Sequence, residues 1–332
     1  MTAALSGSKL SELFEASRSG NRGALARLLS LVERGGAEGR ELARLTFKTA
    51  GSAYAIGFTG APGSGKSTLT SAVVAGIRSR LSSPVAVLAV DPSSPVTGGA
   101  ILGDRVRMQQ HALDDAVFIR SMASRGHLGG LAAAVPEAVR LLDATGWPLV
   151  IVETVGVGQV EIDVAAMCDT VVVVVNPGWG DSVQANKAGL LEIADVLVIN
   201  KADRPGAKEA ARDLRLMLQL SRDLQWTPPI VETVATTGDG VAELWDAITS
   251  HRYYLEQGGH LASRRAKRAK EETVRIARRR LDTALGAALK GAANAEVLAA
   301  LSDKRMDPDE AADRLVSAVA LELRDAAGPA PS

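Results

Sequence analysis

Hydrophobic positions follow one period at the start of the chain and another through its middle. Between residues 8 and 49, Leu10, Leu13 and Phe14, then Leu25, Leu28, Leu29 and Val32, then Leu42 and Leu45 recur at three- and four-residue steps. That spacing predicts two or three short helices. From residue 53 the pattern changes to short apolar runs separated by helical stretches. The runs are "YAIGFTG" (54–60), "PVAVLAVD" (84–91), "AVFIR" (116–120), "PLVIVET" (148–154), "TVVVVVN" (170–176), "DVLVIN" (195–200) and "PIVETVA" (229–235). Several are continuously apolar, as expected of parallel strands covered on both faces. Strand and helix in alternation predict an α/β fold with a doubly wound, mostly parallel sheet. After about residue 258 the strands stop. The stretch 263–290 carries ten Lys/Arg and three Asp/Glu, with Val274, Ala277, Leu281, Ala284 and Ala288 on one stripe. It reads as an amphipathic helix with a basic face, and a second helix is expected over 309–324. The expected organisation is a helical segment over 1–50, a nucleotide-binding domain over 51–258 and a helical arm over 259–332.

Composition narrows this reading only a little. The chain has 332 residues, 46% hydrophobic and 23% charged, with 3% aromatic and a formal net charge of zero. The charge balance gives no reason to expect nucleic acid or a membrane as partner, and the basic stretch lacks interleaved aromatics for base stacking. One cysteine, Cys168, allows no internal disulfide. No apolar run reaches the roughly 18 residues that span a bilayer, and the first twenty residues have neither an apolar signal core nor the Arg-rich character of a transit peptide. A cytoplasmic protein is expected.

The stretch "GAPGSGKST" supplies the chemistry. Gly60, Gly65, Lys66 and Ser67 satisfy G-x-x-x-x-G-K-[ST] between a strand and a helix. In that setting the backbone of Gly60, Ala61, Pro62, Gly63, Ser64 and Gly65 curls around phosphate oxygens, and the helix that follows offers its positive N-terminal end. Lys66 is expected to reach the β- and γ-phosphates and Ser67 to ligate Mg²⁺, with Thr68 beside it. Mg²⁺ calls for carboxylates nearby. Asp91 and Glu153 close apolar strands, and Asp104 lies in "GGAILGDRVRM".

"NKAD" (200–203) closes a later strand. Asn200, Lys201 and Asp203 match the N-K-x-D pattern that reads guanine, because a carboxylate accepts from the guanine N1–H and exocyclic amine, which adenine lacks as a pair. The segment "VATTGDG", with Val234, Ala235 and Thr236, is expected to face the guanine carbonyl with backbone N–H groups. GTP/GDP is therefore the expected nucleotide rather than ATP. Four histidines and one cysteine, without metal-ligand spacing, argue against a zinc or nickel store.

"VDPSSPVTGGAILGDRVRM" (90–108), "ETVGVGQ" (153–159) and "GWGDSVQANKAGLLEIADVLVINKADR" (178–204) resemble the MeaB/ArgK family of GTPases, which is similar to the human methylmalonic aciduria type A protein. The resemblance runs over roughly residues 8–325. It implies a GTP-hydrolysing metallochaperone that gates adenosylcobalamin loading from an adenosyltransferase and protects or reactivates an acyl-CoA mutase, chiefly methylmalonyl-CoA mutase. It also implies a homodimer joined through C-terminal helices. By the same resemblance Asp91, Asp104 and Glu153 surround Mg²⁺, 91–108 is a first switch and 153–165 a second. Residues 177–189, with Asp181, Gln184 and Lys187, are a third switch that reports to the mutase. Val234 stands where many GTPases carry serine. Gln159 is a candidate for positioning the attacking water, although it lies two residues beyond the usual glutamine. Arg105, Arg107 and Arg125 are candidate arginine fingers, and slow intrinsic hydrolysis accelerated by the mutase is expected. The stretch 120–130 also resembles the family and has no assigned role. The rival readings are an ATP-dependent kinase linked to amino-acid (LAO/AO) transport and a GTP-binding scaffold without turnover.

Overall fold

Seven runs rich in valine, isoleucine, leucine and alanine pair into one parallel sheet in the computed structural model, which describes residues 7–92, 108–111, 113–124, 128–154, 167–178, 192–220, 225–291 and 294–327. The strands are β1 (Tyr54–Gly60), β2 (Val85–Pro92), β3 (Val117–Ser124), β4 (Leu149–Thr154), β5 (Thr170–Val175), β6 (Val196–Asn200) and β7 (Ile230–Thr233). Their order is β3-β2-β4-β1-β5-β6-β7, and every neighbouring pair is parallel. Every residue of β1, β4, β5 and β6 is buried, which explains why these runs do not alternate apolar with polar.

The helices cover both faces. On one face α1 (Gly7–Arg18), α2 (Arg22–Arg34), α3 (Gly36–Phe47) and α5 (Leu128–Ala144) pack with Ala86, Leu88, Val150 and Val152. Further along that face α6 (Ala207–Leu220) covers Val171, Val173, Leu197 and Ile199. On the other face α4 (Lys66–Leu81) and α7 (Val241–Gln257) pack on Ile56, Phe58, Ile151, Val172 and Val198. The N-terminal helices thus share a core with the sheet. Asn21 starts α2 by accepting from the Ala24 amide at 2.9 Å, an N-cap worth roughly 1 kcal/mol.

β3 runs four residues past the apolar pattern, through Ser124. It is an edge strand, so polar residues are tolerated along it. Arg120 is held there by Glu33 Oε1 at 3.1 Å and Ser30 Oγ at 3.0 Å, both on α2.

The chain separates into two compact units, Met1–Arg265 and Ala266–Ser332. In the first, the opening turns of α8 (His260–Lys290) meet the starts of β5 and β6. Arg264 grips Asp195 at 2.9 and 2.8 Å, and Arg265 grips Asp169 at 3.1 and 2.7 Å. In the second unit α9 (Ala295–Ser302) and α10 (Pro308–Ala327) follow the rest of α8, and Ala288, Ala300, Ala311, Leu315 and Val319 are buried. Val274, Leu281, Leu285 and Leu289 of α8 stay exposed.

Beside the Arg264–Asp195 pair a chain of hydrogen bonds crosses the interior. Tyr54 Oη and Thr170 Oγ1 share a hydrogen bond (2.5 Å), as do Thr170 Oγ1 and His251 Nδ1 (2.8 Å), and His251 Nε2 stands 3.3 Å from Asp195 Oδ1. A neutral imidazole protonated at Nε2 takes the Thr170 O–H at Nδ1 and leaves the Tyr54 O–H to donate to Thr170. Burial, with help from Arg264, pushes the His251 pKa below 6.5 in spite of Asp195, and burial pushes the Tyr54 hydroxyl up to about 12. Below pH 6.5 the unfolded chain takes up a proton that the folded His251 refuses. The stability from a neutral His251 is therefore complete above that pH and drains away as pH falls toward the folded value. Acidifying from about pH 7.5 to about pH 5 is expected to lower the urea midpoint of the wild type more than that of His251→Gln. Parallel slopes for the two proteins would contradict the assignment.

Candidate functional site

Each predicted nucleotide segment that the structure describes lies at the carboxyl edge of the sheet, where doubly wound folds bind ligands. β1 ends at Gly60, whose φ is +136°; a Cβ there would stand 2.0 Å from the Val174 carbonyl oxygen of β5. At Gly65, with φ of +89°, a Cβ would stand 2.5 Å from Asn200 Nδ2. Glycine at these two positions lets the loop 60–65 press against β5 and β6, and any side chain would force them apart. α4 then begins at Lys66.

Lys66 is 6% exposed, and its ammonium donates to the carbonyls of Gly60 (2.8 Å) and Ala61 (3.0 Å). Ser67 is buried and its hydroxyl donates to Glu153 Oε1 at 2.5 Å. Glu153, on β4, is 0% exposed. It sits in register with Phe58 of β1 and Ala89 of β2, so the carboxylate faces the start of α4. A buried hydroxyl and a buried carboxylate this close form a hard-oxygen pair of the kind Mg²⁺ accepts. With the glycine cradle and the helix N-terminus beside them, the donor set fits Mg²⁺ and a phosphate chain. Asp91 lies at the end of β2, its backbone in register with Ala123. Asp104, Gln159, Asp181, Gln184 and Lys187 lie outside the described residues, as do Arg105, Arg107 and Arg125.

β6 delivers the second group. Asn200 is 1% exposed and joins two loops: its Nδ2 donates to the Ser64 carbonyl (2.7 Å), and its Oδ1 accepts from the Ala235 amide (3.1 Å) and Thr233 Oγ1 (3.2 Å). Lys201, with φ of +61°, donates from Nζ to the Gly63 carbonyl at 2.6 Å. Asp203, two residues on, is exposed in a turn closed by Arg204 N–H to the Lys201 carbonyl at 3.0 Å. Sequence spacing could not reveal that Asn200 and Lys201 are spent on the phosphate loop itself.

The segment that follows β7 carries internal hydrogen bonds. The Val234 amide donates to the Asp239 carbonyl (3.0 Å) and the Ala235 amide to Asn200, so both are engaged inside the fold. Among the described residues no cluster of three His, Cys, Asp or Glu side chains could hold a metal by itself. No single described helix is long and apolar enough to cross a membrane.

A family model described as methylmalonyl Co-A mutase-associated GTPase MeaB matches residues 25–290. A Pyrococcus abyssi protein is 48% identical over 314 residues, which is 93% of this chain and 97% of that protein. The GTPase ArgK of Escherichia coli is 40% identical over 273 residues, 79% of this chain and 82% of its own length. The crystal structure of an LAO/AO transport system kinase superposes with a TM-score of 0.70 at 27% identity, covering 96% of this chain and 99% of that one.

Proposed function

This chain belongs to the MeaB family of GTPases, and from that premise we propose that it binds GTP with Mg²⁺, hydrolyses it slowly alone, and uses the cycle to time adenosylcobalamin loading of an acyl-CoA mutase. The observation that carries the nucleotide part is the double engagement of Asn200 with the Ser64 carbonyl and the Ala235 amide. It holds the base-side loop and the phosphate loop in one hydrogen-bonded unit. Exposed Asp203 then accepts from guanine N1–H and its exocyclic amine. With the Val234 and Ala235 amides engaged, the Thr236 amide takes the guanine carbonyl.

Lys66 leaves the Gly60 and Ala61 carbonyls for the β- and γ-phosphates. Ser67, Glu153, Asp91 and Asp104 would hold Mg²⁺ directly or through water, and the ion would supply neutralisation of phosphate charge. Gln159 orients the attacking water. Such a constellation without an arginine finger is slow, and a partner that supplies or orders one adds ~10³–10⁵ in rate. The mutase link is supported by the description of the family model, and Asp181, Gln184 and Lys187 are the residues we assign to that contact. The exposed stripe Val274, Leu281, Leu285 and Leu289 supports a seam between two copies of the chain.

Single-turnover hydrolysis of GTP, measured alone and with an adenosylcobalamin-dependent methylmalonyl-CoA mutase, tests the proposal. The rate is expected to rise by at least ~10²-fold with the mutase. Equal rates would refute the timing role, and no turnover in either sample would leave a GTP-binding scaffold.

A further inference from the structure

A cavity of about 340 Å³ opens at the amino edge of the sheet. Three strands start beside it: Pro84 precedes β2, Asp115 and Ala116 precede β3, and Trp147 precedes β4, while Arg22 and Leu25 of α2 form the facing wall. The nucleotide segments lie at the other end of the strands. Six residues along β4, at about 3.3 Å each, put Glu153 about 20 Å from Trp147, so the two sites are separate. The volume falls in the range of small-molecule pockets, roughly 300–1,000 Å³.

The walls are largely apolar. Leu25 belongs to the core cluster under α1, α2 and α5, and Trp147 packs against it. The indole also meets the Phe118 ring at 5.7 Å, tilted by 45°. These contacts hold Trp147 in place while leaving it half-buried. A fixed aromatic beside a proline and a leucine suits a flat apolar group.

The charges sit together. Arg22 Nη2 donates to the Val117 carbonyl at 2.6 Å, and the guanidinium carbon lies 5.7 Å from the centre of the Phe118 ring. The cation is therefore anchored. Its Nη1 stands 3.6 Å from Asp115 Oδ1, too far for a hydrogen bond, and the Asp115 side chain is fully exposed. An anchored cation and an exposed carboxylate, side by side on an apolar cavity, match a ligand with both charges on adjacent groups and an apolar remainder. A lone carboxylate would meet Asp115 as a like charge, and a lone ammonium would meet Arg22 in the same way. We infer that this cavity binds a free α-amino acid with an aromatic side chain, its carboxylate on Arg22, its ammonium on Asp115 and its ring against Trp147.

Binding of L-phenylalanine to the full chain, followed by ligand-detected NMR, tests the site. No nucleotide is needed, so failure of the GTP reading would leave the result readable. Three analogues accompany it. 3-Phenylpropionate lacks the ammonium, phenethylamine lacks the carboxylate, and N-acetylphenylalaninamide carries the side chain uncharged, as within a peptide. L-Phenylalanine is expected to saturate the site and to bind ~5-fold or more tightly than each analogue. Asp115→Asn should weaken L-phenylalanine ~5-fold and leave 3-phenylpropionate as tight or tighter, because a like charge is removed. Arg22→Gln should weaken both ~10-fold. Asp115 is fully exposed, so its variant keeps the wild-type unfolding temperature and reads the site even if Arg22→Gln loosens the fold. Absence of saturation by L-phenylalanine would overturn the inference. So would equal weakening of L-phenylalanine and 3-phenylpropionate by Asp115→Asn. A capped amide that binds as tightly as the free amino acid would overturn it in favour of a peptide side chain.

Discussion

Replacing Lys66 by alanine is expected to lower single-turnover GTP hydrolysis by ~10³-fold while the sheet remains folded. The ammonium is buried, and it donates to the carbonyls of Gly60 and Ala61 in the loop itself. The loop keeps its shape from other sources: the Gly60 and Gly65 conformations, and the donors Asn200 Nδ2 and Lys201 Nζ on Ser64 and Gly63. What alanine removes is a buried cation beside the cradle. In the proposed reaction that cation is strongest where charge on the transferred phosphoryl group changes most, so the loss falls on the rate more than on binding. Quenched-flow measurement of phosphate release, beside thermal unfolding of the same variant, checks this. A rate within tenfold of wild type would mean that Lys66 does not serve the phosphates, and a collapsed unfolding curve would mean that its two carbonyl contacts matter more than the loop geometry indicates.

Much of this architecture can be read from the chain, and the exceptions have physical causes. Continuous apolar runs such as "TVVVVV" mark buried parallel strands because both faces of the sheet are covered. The last four residues of β3 escape such a reading, because an edge strand tolerates polar positions such as Ser121 and Ser124. The phosphate loop is legible because its residues are neighbours in sequence. The contact between Asn200 and Ser64 joins positions 136 apart, and nothing in either segment announces it. The network of Tyr54, Thr170, His251, Asp195 and Arg264 is hidden for the same reason, since it gathers the starts of three strands, the body of α7 and the first turns of α8. His111 is the clearest case. Lacking metal-ligand spacing, it offers no local signal, and its meaning comes from Ser71, which it meets only once α4 has packed on the sheet. The base-side amides carry partners that no local motif announces: Val234 N–H meets the Asp239 carbonyl and Ala235 N–H meets Asn200.

Asp203→Asn is expected to weaken GTP binding by ~10³-fold and to turn the site toward xanthosine triphosphate. Asp203 is exposed, so the change should leave the unfolding temperature alone. A carboxylate is an acceptor only, and it meets two donors on guanine, N1–H and the exocyclic amine. Each such charge-assisted bond contributes about 1.5–3 kcal/mol. The asparagine amide keeps one acceptor and turns a donor toward the other guanine donor, which replaces an attraction by a repulsion. Xanthine carries a carbonyl where guanine has its amine, and that carbonyl accepts from the asparagine NH₂. Adenine gains nothing, because it lacks the N1–H that the retained oxygen must receive. Calorimetric titration of the variant with GTP, XTP and ATP distinguishes these outcomes. If GTP binds the variant within a few-fold of wild type, Asp203 does not read the base; if ATP rather than XTP is gained, the pocket selects by shape instead. Selection by hydrogen-bond donors also separates a guanine-nucleotide timer from a kinase, which would need an ATP-selective site.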